Sequence, residues 1–441
     1  APRRLSVESE NDAIEGFAHP SGDHGRVGKH SSPPGGIVGD RGRVAGAMGK
    51  DSATVAVRVS GIATQDGGGS GGRLRTALDR NLPDNIMQGR QGRDFVKDGE
   101  DADENEENDE AIPCIVSSYA GYSKKGFAPY NPRKRNQDAL VMAEDPSTAS
   151  LFFAVMDGHG EVGDKVAQAF RRGLAPLIFD HPAWEASPET AVVESIAKIE
   201  SSLLADPSVD TEFSGTTLVS VCIRGSQLLL TNVGDSRVTL GRRRVPGEES
   251  IVGGEHGAWV ERGRSSLVAQ PLTVDHKPDT PAEKQRILCA GGRVFSVEYA
   301  DGVDGPPRVW LGNMDMPGLA MSRSLGDAIA HTAGVISDPD TYRCDLVDGG
   351  CRTGYEGETY EGASGGEAVV IILATDGLWE FITDQEAVDI VSQCSEPRQA
   401  VERLIHEAGE RWMKEEQVID DTTVCVAFIK NWVVGTGGGQ G

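Results

Sequence analysis

Six consecutive residues, Leu151-Phe152-Phe153-Ala154-Val155-Met156, are apolar, and the seventh is Asp157. A run this short and this apolar reads as a buried strand. It ends abruptly in Asp157-Gly158-His159-Gly160. A carboxylate at the tip of a buried strand is costly unless a cation or hydrogen-bond donors meet it. The two glycines let the backbone turn sharply and bring a carbonyl close to a ligand. The histidine can move protons near neutral pH. Taken alone, such a tip is most often a tight turn, so the rest of the chain has to decide what it is for.

The chain has 441 residues, long enough for one large domain or two. Its net charge of −25 argues against a nucleic-acid or membrane-surface binder, which would ordinarily be basic. The seven cysteines form no C-x-x-C pair, so neither a disulfide framework nor a zinc ribbon is expected. Cys222 and Cys425 lie inside apolar runs and read as small core residues of a protein kept reduced, in cytoplasm or nucleus. There is no apolar run of about 18 residues, so no membrane insertion is expected.

Residues 1–112 differ in texture from the rest of the chain. They are glycine-rich, weakly periodic, and end in a dense acidic run from Asp98 to Glu110 that repels itself and stays extended. This stretch is expected to be a disordered extension, 113–430 a folded domain, and 431–441 a flexible tail. Residues 241–268 and 348–367 are polar and Gly-rich and read as surface insertions. Within the domain, Leu218–Ile223, Arg224-Gly225-Ser226 and Gln227–Val233 spell a hairpin, and Ser236–Leu240 is expected to continue it as a meander. Val166, Phe170, Leu174 and Leu177 make one helical stripe, and Val192, Ile196, Ile199 and Leu203 another. Pro281 opens a helix that Gly291-Gly292 closes. Thr383 and Glu386 form a capping box, and Val401 to Trp412 marks a last helix. Hairpins beside long amphipathic helices predict an α+β fold with helices packed on antiparallel sheets.

Carboxylates recur at the strand ends. Asp157 follows one buried run and Asp376 follows another, Ala368–Ala374. Asp420-Asp421 precedes Thr422–Ile429, Asp138 precedes Leu140-Val141-Met142, and Asp235 lies in a Gly-Asp-Ser turn between strands. Any one of these is an ordinary Asp turn. Together they suit Mg²⁺ or Mn²⁺, which take a few carboxylates and complete their shells with water.

In order, the chain carries Arg133-x-x-Asn136-Gln137-Asp138, Phe153 to Gly160, Ser214-Gly215-Thr216-Thr217, Asn232 to Arg237, Asp275-His276-Lys277-Pro278, Ala290 to Val294, Leu319 to Asp327, Ala374 to Trp379, and Asp420-Asp421-Thr422-Thr423. From about Ile115 to Ile429 this resembles the metal-dependent serine/threonine protein phosphatases of type 2C, the PPM family. The resemblance implies a sandwich of two antiparallel β-sheets flanked by α-helices on both sides. It implies two Mg or Mn ions, bridged by Asp157, with the Gly158 carbonyl, Asp376 and Asp420 as further ligands and Asp138 acting nearby through water. An activated water would attack phosphorus in line, without a phosphoenzyme. His159 would protonate the leaving seryl or threonyl oxygen, and Arg133, with Arg135 as the alternative, would hold phosphate oxygens. Asp235 and Asp376 resemble residues that hold a third, weaker ion in some members. The segment 271–325 resembles the flap beside the cleft. Phosphorylated proteins would be the substrates, and a monomer is expected.

Four departures stand out. Gln137 replaces a frequent Glu, Glu380 a frequent Asp, and Asp421 the usual Asn; Glu161-Val162 precedes Gly163 where a glycine is common. The rival reading is a non-catalytic adaptor that keeps the phosphatase fold to bind partners. Adaptors typically lose a metal Asp or the phosphate Arg, and this chain retains both.

Overall fold

The strand Ser150–Met156 is buried at every position. Its alternate residues face different neighbours. Phe152, Ala154 and Met156 pack against helices, whereas Leu151, Phe153 and Val155 pack against a second sheet. A strand covered on both faces has no reason to alternate apolar with polar residues, which accounts for the unbroken run.

The computed structural model describes residues 87–88, 114–244, 251–252, 259–260, 266–299, 302–346, 350–353 and 367–430. Two six-stranded sheets form the centre. The first runs, edge to edge, Gly350–Thr353, Asp340–Asp345, Gln227–Val233, Leu218–Arg224, Ser150–Met156, Ala139–Asp145. The second runs Met87–Gln88, Val116–Lys124, Thr422–Ile429, Ala368–Ala374, Arg237–Arg243, Leu267–Pro271. All neighbours in both sheets are antiparallel.

Four layers result. Between the sheets lie Phe153, Val155, Val221, Leu230, Leu240, Ile371, Leu373 and Cys425. The outer face of the first sheet carries the helices Gly163–Phe179 and Pro188–Leu204 through the two stripes read from sequence. The outer face of the second carries Asp384–Ser392 and Pro397–Glu415. This is the expected α+β sandwich. The capping box forms as read: Thr383 Oγ1 accepts from the Glu386 amide, and the Glu386 carboxylate accepts from the Thr383 amide.

The chain departs from the sequence reading in three places. Arg237–Arg243 does not continue the meander; it crosses to the second sheet, between Ala368–Ala374 and Leu267–Pro271. Gly234, at φ +102°, makes the turn, in a left-handed conformation that glycine adopts readily. The boundaries of 241–268 and 348–367 shrink, because Arg243 pairs with Leu267 and Gly350 pairs with Asp345 inside sheets. Ile251–Val252 also pairs with Trp259–Val260. Within 1–112, Met87–Gln88 pairs with Ala120 and Gly121 at the sheet edge. The remainder of 1–112, its acidic run included, lies outside the described residues, as do 431–441.

The flap-like segment builds its own small body. Strands Arg293–Tyr299, Gly302–Trp310 and Pro317–Leu319 pack with the helix Pro281–Cys289 around Ile287, Val309, Ala330, Ala333 and Val335. The buried Arg323 fastens it to the first sheet, donating to Glu283 Oε1 at 2.9 Å and Asp340 Oδ1 at 2.7 Å.

Phe153 is wholly enclosed between the sheets. Phe153→Ala is expected to lower unfolding free energy by about 3–5 kcal/mol in urea titrations. Leu204→Ala, at a residue 45% exposed, should change it by less than about 0.5 kcal/mol.

Candidate metal centre and active site

The sandwich brings strand ends from both sheets to one place. Asp138 and Asp157 come from the first sheet, Asp376 and Asp420 from the second, and Asp235 from the crossover between them.

Asp157 is fixed through its backbone. Its amide donates to Thr217 Oγ1 at 2.9 Å, and its carbonyl accepts from the Thr217 amide at 2.8 Å and from Thr216 Oγ1 at 2.9 Å. The side chain is thereby left for other work, and it meets the carboxyl of Asp376. Gly158 has no room for a side chain: a Cβ there would lie 2.5 Å from the Gly163 carbonyl oxygen and 2.6 Å from that of Gln137. The same crowding from the other side explains Gly163, whose Cβ would lie 2.7 Å from the carbonyl carbon of Gly158.

Asp138 is 0% exposed. Its Oδ2 accepts from Thr423 Oγ1 at 2.7 Å and Thr375 Oγ1 at 2.9 Å, while its Oδ1 is buried without a partner. Asp376 Oδ1 and Asp235 Oδ1 are likewise buried without partners. Carboxylate oxygens left in this state are ordinarily satisfied by a donor or a cation.

The electrostatics agree. Burial, then the charges of Asp376, Asp138 and Asp420, push the Asp157 carboxyl well above the usual range. Burial, then Asp235 and Asp420, push Asp376 up to about 7. Burial, then Asp421, raise Asp138. These three acids, Asp138, Asp157 and Asp376, are each raised partly by neighbouring carboxylates, as expected for like charges gathered in one site. Asp235 is the exception. Burial opposes its charge, but Lys277 Nζ, 2.6 Å from Oδ2, a backbone amide and His159 together outweigh burial and hold the carboxyl below the usual range.

Asp420 and Asp421 separate clearly. Both Asp421 oxygens take backbone amides, Oδ1 from Gly126 at 2.7 Å and Oδ2 from Gln137 at 2.9 Å. Asp421 therefore staples two loops. Asp420 takes Lys134 Nζ at 2.6 Å and is partly open to solvent. Of the pair, Asp420 is the one with an oxygen, Oδ2, to offer a cation, its Oδ1 being taken by Lys134 and the Asp421 amide. The donor set is all oxygen and three unpartnered carboxylate oxygens lie in it, a chemistry that suits hard divalent cations, although among the described residues no three such side chains are already placed to hold one ion.

The departures from the family pattern have local accounts. Gln137 Nε2 donates to the Gly160 carbonyl at 2.7 Å, so its side chain braces the Asp157–Gly160 turn. Glu380 is exposed at the end of the short helix Asp376–Trp379, with its amide on the Asp376 carbonyl. Val162 is held by its amide on Ser214 Oγ at 3.1 Å.

Of the two candidate phosphate-binding arginines, Arg135 donates to Asp164 Oδ2 at 3.1 Å. Arg133 is exposed and, among the described residues, makes no hydrogen bond or ion pair. Sequence reasoning gave no role to Lys134, Lys277, Thr375, Thr423 or Asp327. Asp327 Oδ2 lies 2.6 Å from His159 Nε2. All five stand in or beside the motifs, but no spacing rule says that they touch carboxylates or histidines far away in sequence.

Comparison with known proteins places this geometry. The family description Protein phosphatase 2C matches residues 133–416. The chain is 32% identical over 336 residues to the probable protein phosphatase 2C 64 of Oryza sativa subsp. japonica, covering 72% of this chain and 68% of that one. It is 27% identical over 335 residues to the probable protein phosphatase 2C 35 of Arabidopsis thaliana, covering 72% and 85%. The crystal structure of a serine-threonine phosphatase 2C from Toxoplasma gondii has the same fold, with a TM-score of 0.54 at 22% identity over 72% of this chain and 98% of that one. With the match spanning most of the folded region and the motifs in order along it, this chain belongs to the protein phosphatase 2C family of metal-dependent serine/threonine phosphatases.

Proposed function

We propose that the chain hydrolyses phosphoseryl and phosphothreonyl groups of proteins directly, at a centre of two Mg²⁺ or Mn²⁺ ions. Asp157, the Gly158 carbonyl, Asp376 and Asp420 would hold them, and Asp138 would stand behind through water. The observation that carries this reading is the meeting of strand-end carboxylates from both sheets, three of them with a buried unpartnered oxygen. When bound, such a pair supplies a water of lowered pKa and neutralises charge on the phosphate.

The chain's own residues supply the rest. Arg133, uncommitted and exposed, would take phosphate oxygens in a bidentate grip. Water attacks phosphorus in line with the seryl or threonyl oxygen. As the bond from phosphorus to that oxygen breaks, the electron pair leaves with the oxygen, which takes a proton from His159. Asp235 is paired with Lys277; as a ligand of a third, weaker ion it would have to give up that ammonium. One chain supplies the whole set of carboxylates, which supports a monomer. The proposed setting is cytoplasm or nucleus, where thiols such as those of Cys222 and Cys425 stay reduced.

Release of phosphate from a phosphothreonine peptide, with and without Mn²⁺, tests this reading. Activity should require the metal, and Asp157→Asn and Asp376→Asn should each abolish it. A folded protein that binds metal without turnover would sink the proposal and leave an adaptor.

The acidic pair at 420–421 should divide cleanly. Asp420→Asn is expected to weaken Mn²⁺ binding in calorimetry without destabilising the metal-free protein. Asp421→Asn should cost about 1.5–3 kcal/mol of stability, the range for hydrogen bonds to a charged acceptor.

Asp376 contributes to the pH dependence of the metal-free protein in the same direction as Asp138 and Asp157. Its carboxyl is raised from 3.8 to about 7 on folding, so between those values the native state holds a proton that the unfolded chain has released. Stability from this group is full below the lower value and is lost as pH rises through the upper one. In EDTA, the urea midpoint should therefore fall between pH 5 and pH 8, and Asp376→Asn should flatten that fall. A midpoint that rises over this range in the wild type would contradict the assignment.

A further inference from the structure

Beside the carboxylates, three strands of two residues each form a small sheet: Gly158–His159, Gly215–Thr216 and Leu325–Gly326. Its register sets His159 opposite Gly215 on one side and Gly326 opposite Gly215 on the other. The next residue, Asp327, sends its carboxylate across Gly215 to His159, where Oδ2 lies 2.6 Å from Nε2. Gly215 makes the passage possible: a Cβ there would lie 2.2 Å from Asp327 Oδ2.

The surroundings hold this carboxylate in place. Gly326 turns at φ +92°, and Asp327 itself adopts a left-handed conformation at φ 43°. Asp and Asn accept that conformation more readily than other side chains with a Cβ. The Asp327 amide donates to the Ser214 carbonyl at 3.1 Å, and the Gly326 amide donates to the buried Glu200 at 3.3 Å. Asp327 is 2% exposed. It stands at the N-cap position of the short helix Ala328–His331, yet its side chain makes no capping hydrogen bond. The ordinary reason for an Asp at such a place is therefore absent, and the carboxylate is directed at the histidine instead.

We propose that Asp327 is the positioning residue for His159. By accepting from Nε2 it fixes the ring's tautomer and plane, and Nδ1, which is enclosed in the absence of substrate, would be the atom that hands its proton to the leaving seryl or threonyl oxygen. The proton released by the attacking water restores the ring. This rests on the reading of His159 as the proton donor. The arrangement parallels the buried carboxylate that orients the base of a hydrolytic triad, although here the histidine serves a leaving oxygen and no nucleophilic side chain is involved.

The test compares two substrates. A phosphothreonine peptide has a leaving alkoxide that needs a proton, whereas p-nitrophenyl phosphate has a leaving group that does not. Asp327→Asn keeps the backbone preference and removes the charge. On the peptide, kcat should fall by about 10²-fold, the lower end of what a positioned acid contributes, with KM unchanged. On p-nitrophenyl phosphate the fall should be far smaller. Combined with His159→Gln, Asp327→Asn should add no further loss. Mn²⁺ binding by calorimetry should match the wild type. Equal losses on both substrates, a further loss in the double variant, or wild-type turnover of the peptide would each overturn the proposal. If His159→Gln itself turns the peptide over normally, the reading of His159 fails and takes the proposal with it; if only Asp327→Asn is silent, that reading stands and the proposal alone falls. Nitrogen NMR of the wild type is independent of any variant's folding. A His159 ring protonated at Nε2 is expected, and one lacking that proton would overturn the proposal.

Discussion

Like charges buried together are the constraint on which this structure turns. Asp138, Asp157 and Asp376 are each pushed up by burial and by neighbouring carboxylates, Asp420 among them. Nothing local would assemble them. The two sheets do, because their apolar strands are pinned on both faces and their ends have nowhere else to go. Fully burying one side chain such as Phe152 or Phe153 is worth about 1.5–3 kcal/mol, and the sandwich contains dozens of buried apolar side chains. That reserve tolerates a few unfavourable carboxylates at the rim. A divalent cation bound among them would relieve their repulsion, so poor electrostatics without metal and affinity for metal would have one cause.

Two lysines temper the same field. Lys134 lies on Asp420 and Lys277 on Asp235, each at 2.6 Å. Burial works against both ammonium charges, but the neighbouring carboxylates outweigh it and raise both pKa values. They differ in what they leave behind. Asp420 remains partly open to solvent, whereas Asp235 is almost wholly enclosed beneath its partly exposed lysine. A cation could therefore reach Asp420 with Lys134 moving aside, but Asp235 reads first as the enclosed half of an ion pair with Lys277.

The legible part of the protein was the part written in short-range patterns. Leu151–Met156 announced a buried strand because both faces are covered, and Asp157 stood out because a carboxylate rarely ends such a run without a partner. Helix stripes and the capping box at Thr383 are likewise periodic or local, and they formed as read. The crossover at Gly234 was not legible, since Arg237–Arg243 has a strand pattern that fits either sheet; only Ala368–Ala374 and Leu267–Pro271, far along the chain, decide which sheet it joins. Met87–Gln88 is too short a strand to leave a periodic trace.

Long-range contacts set the limit at the site as well. His159 and Asp327 are 168 residues apart, and the residue that lets them meet is Gly215, whose only contribution is a missing side chain. In sequence Gly215 looks like part of a polar turn before a strand. Its meaning appears only when Gly158–His159 and Leu325–Gly326 flank it. The same holds for Asp421: beside Asp420 it looks like a second ligand, but the amides of Gly126 and Gln137 already fill its oxygens. The chemistry of an acid in this chain is thus decided by how many donors the fold has already aimed at it. Asp421 is saturated and structural, Asp327 is bound to one ring nitrogen of His159, and Asp138, Asp235 and Asp376 each keep a buried oxygen without a protein partner. Unmet acceptor capacity thus sets Asp138, Asp235 and Asp376 apart from Asp421 and Asp327, where residue type and spacing alone do not.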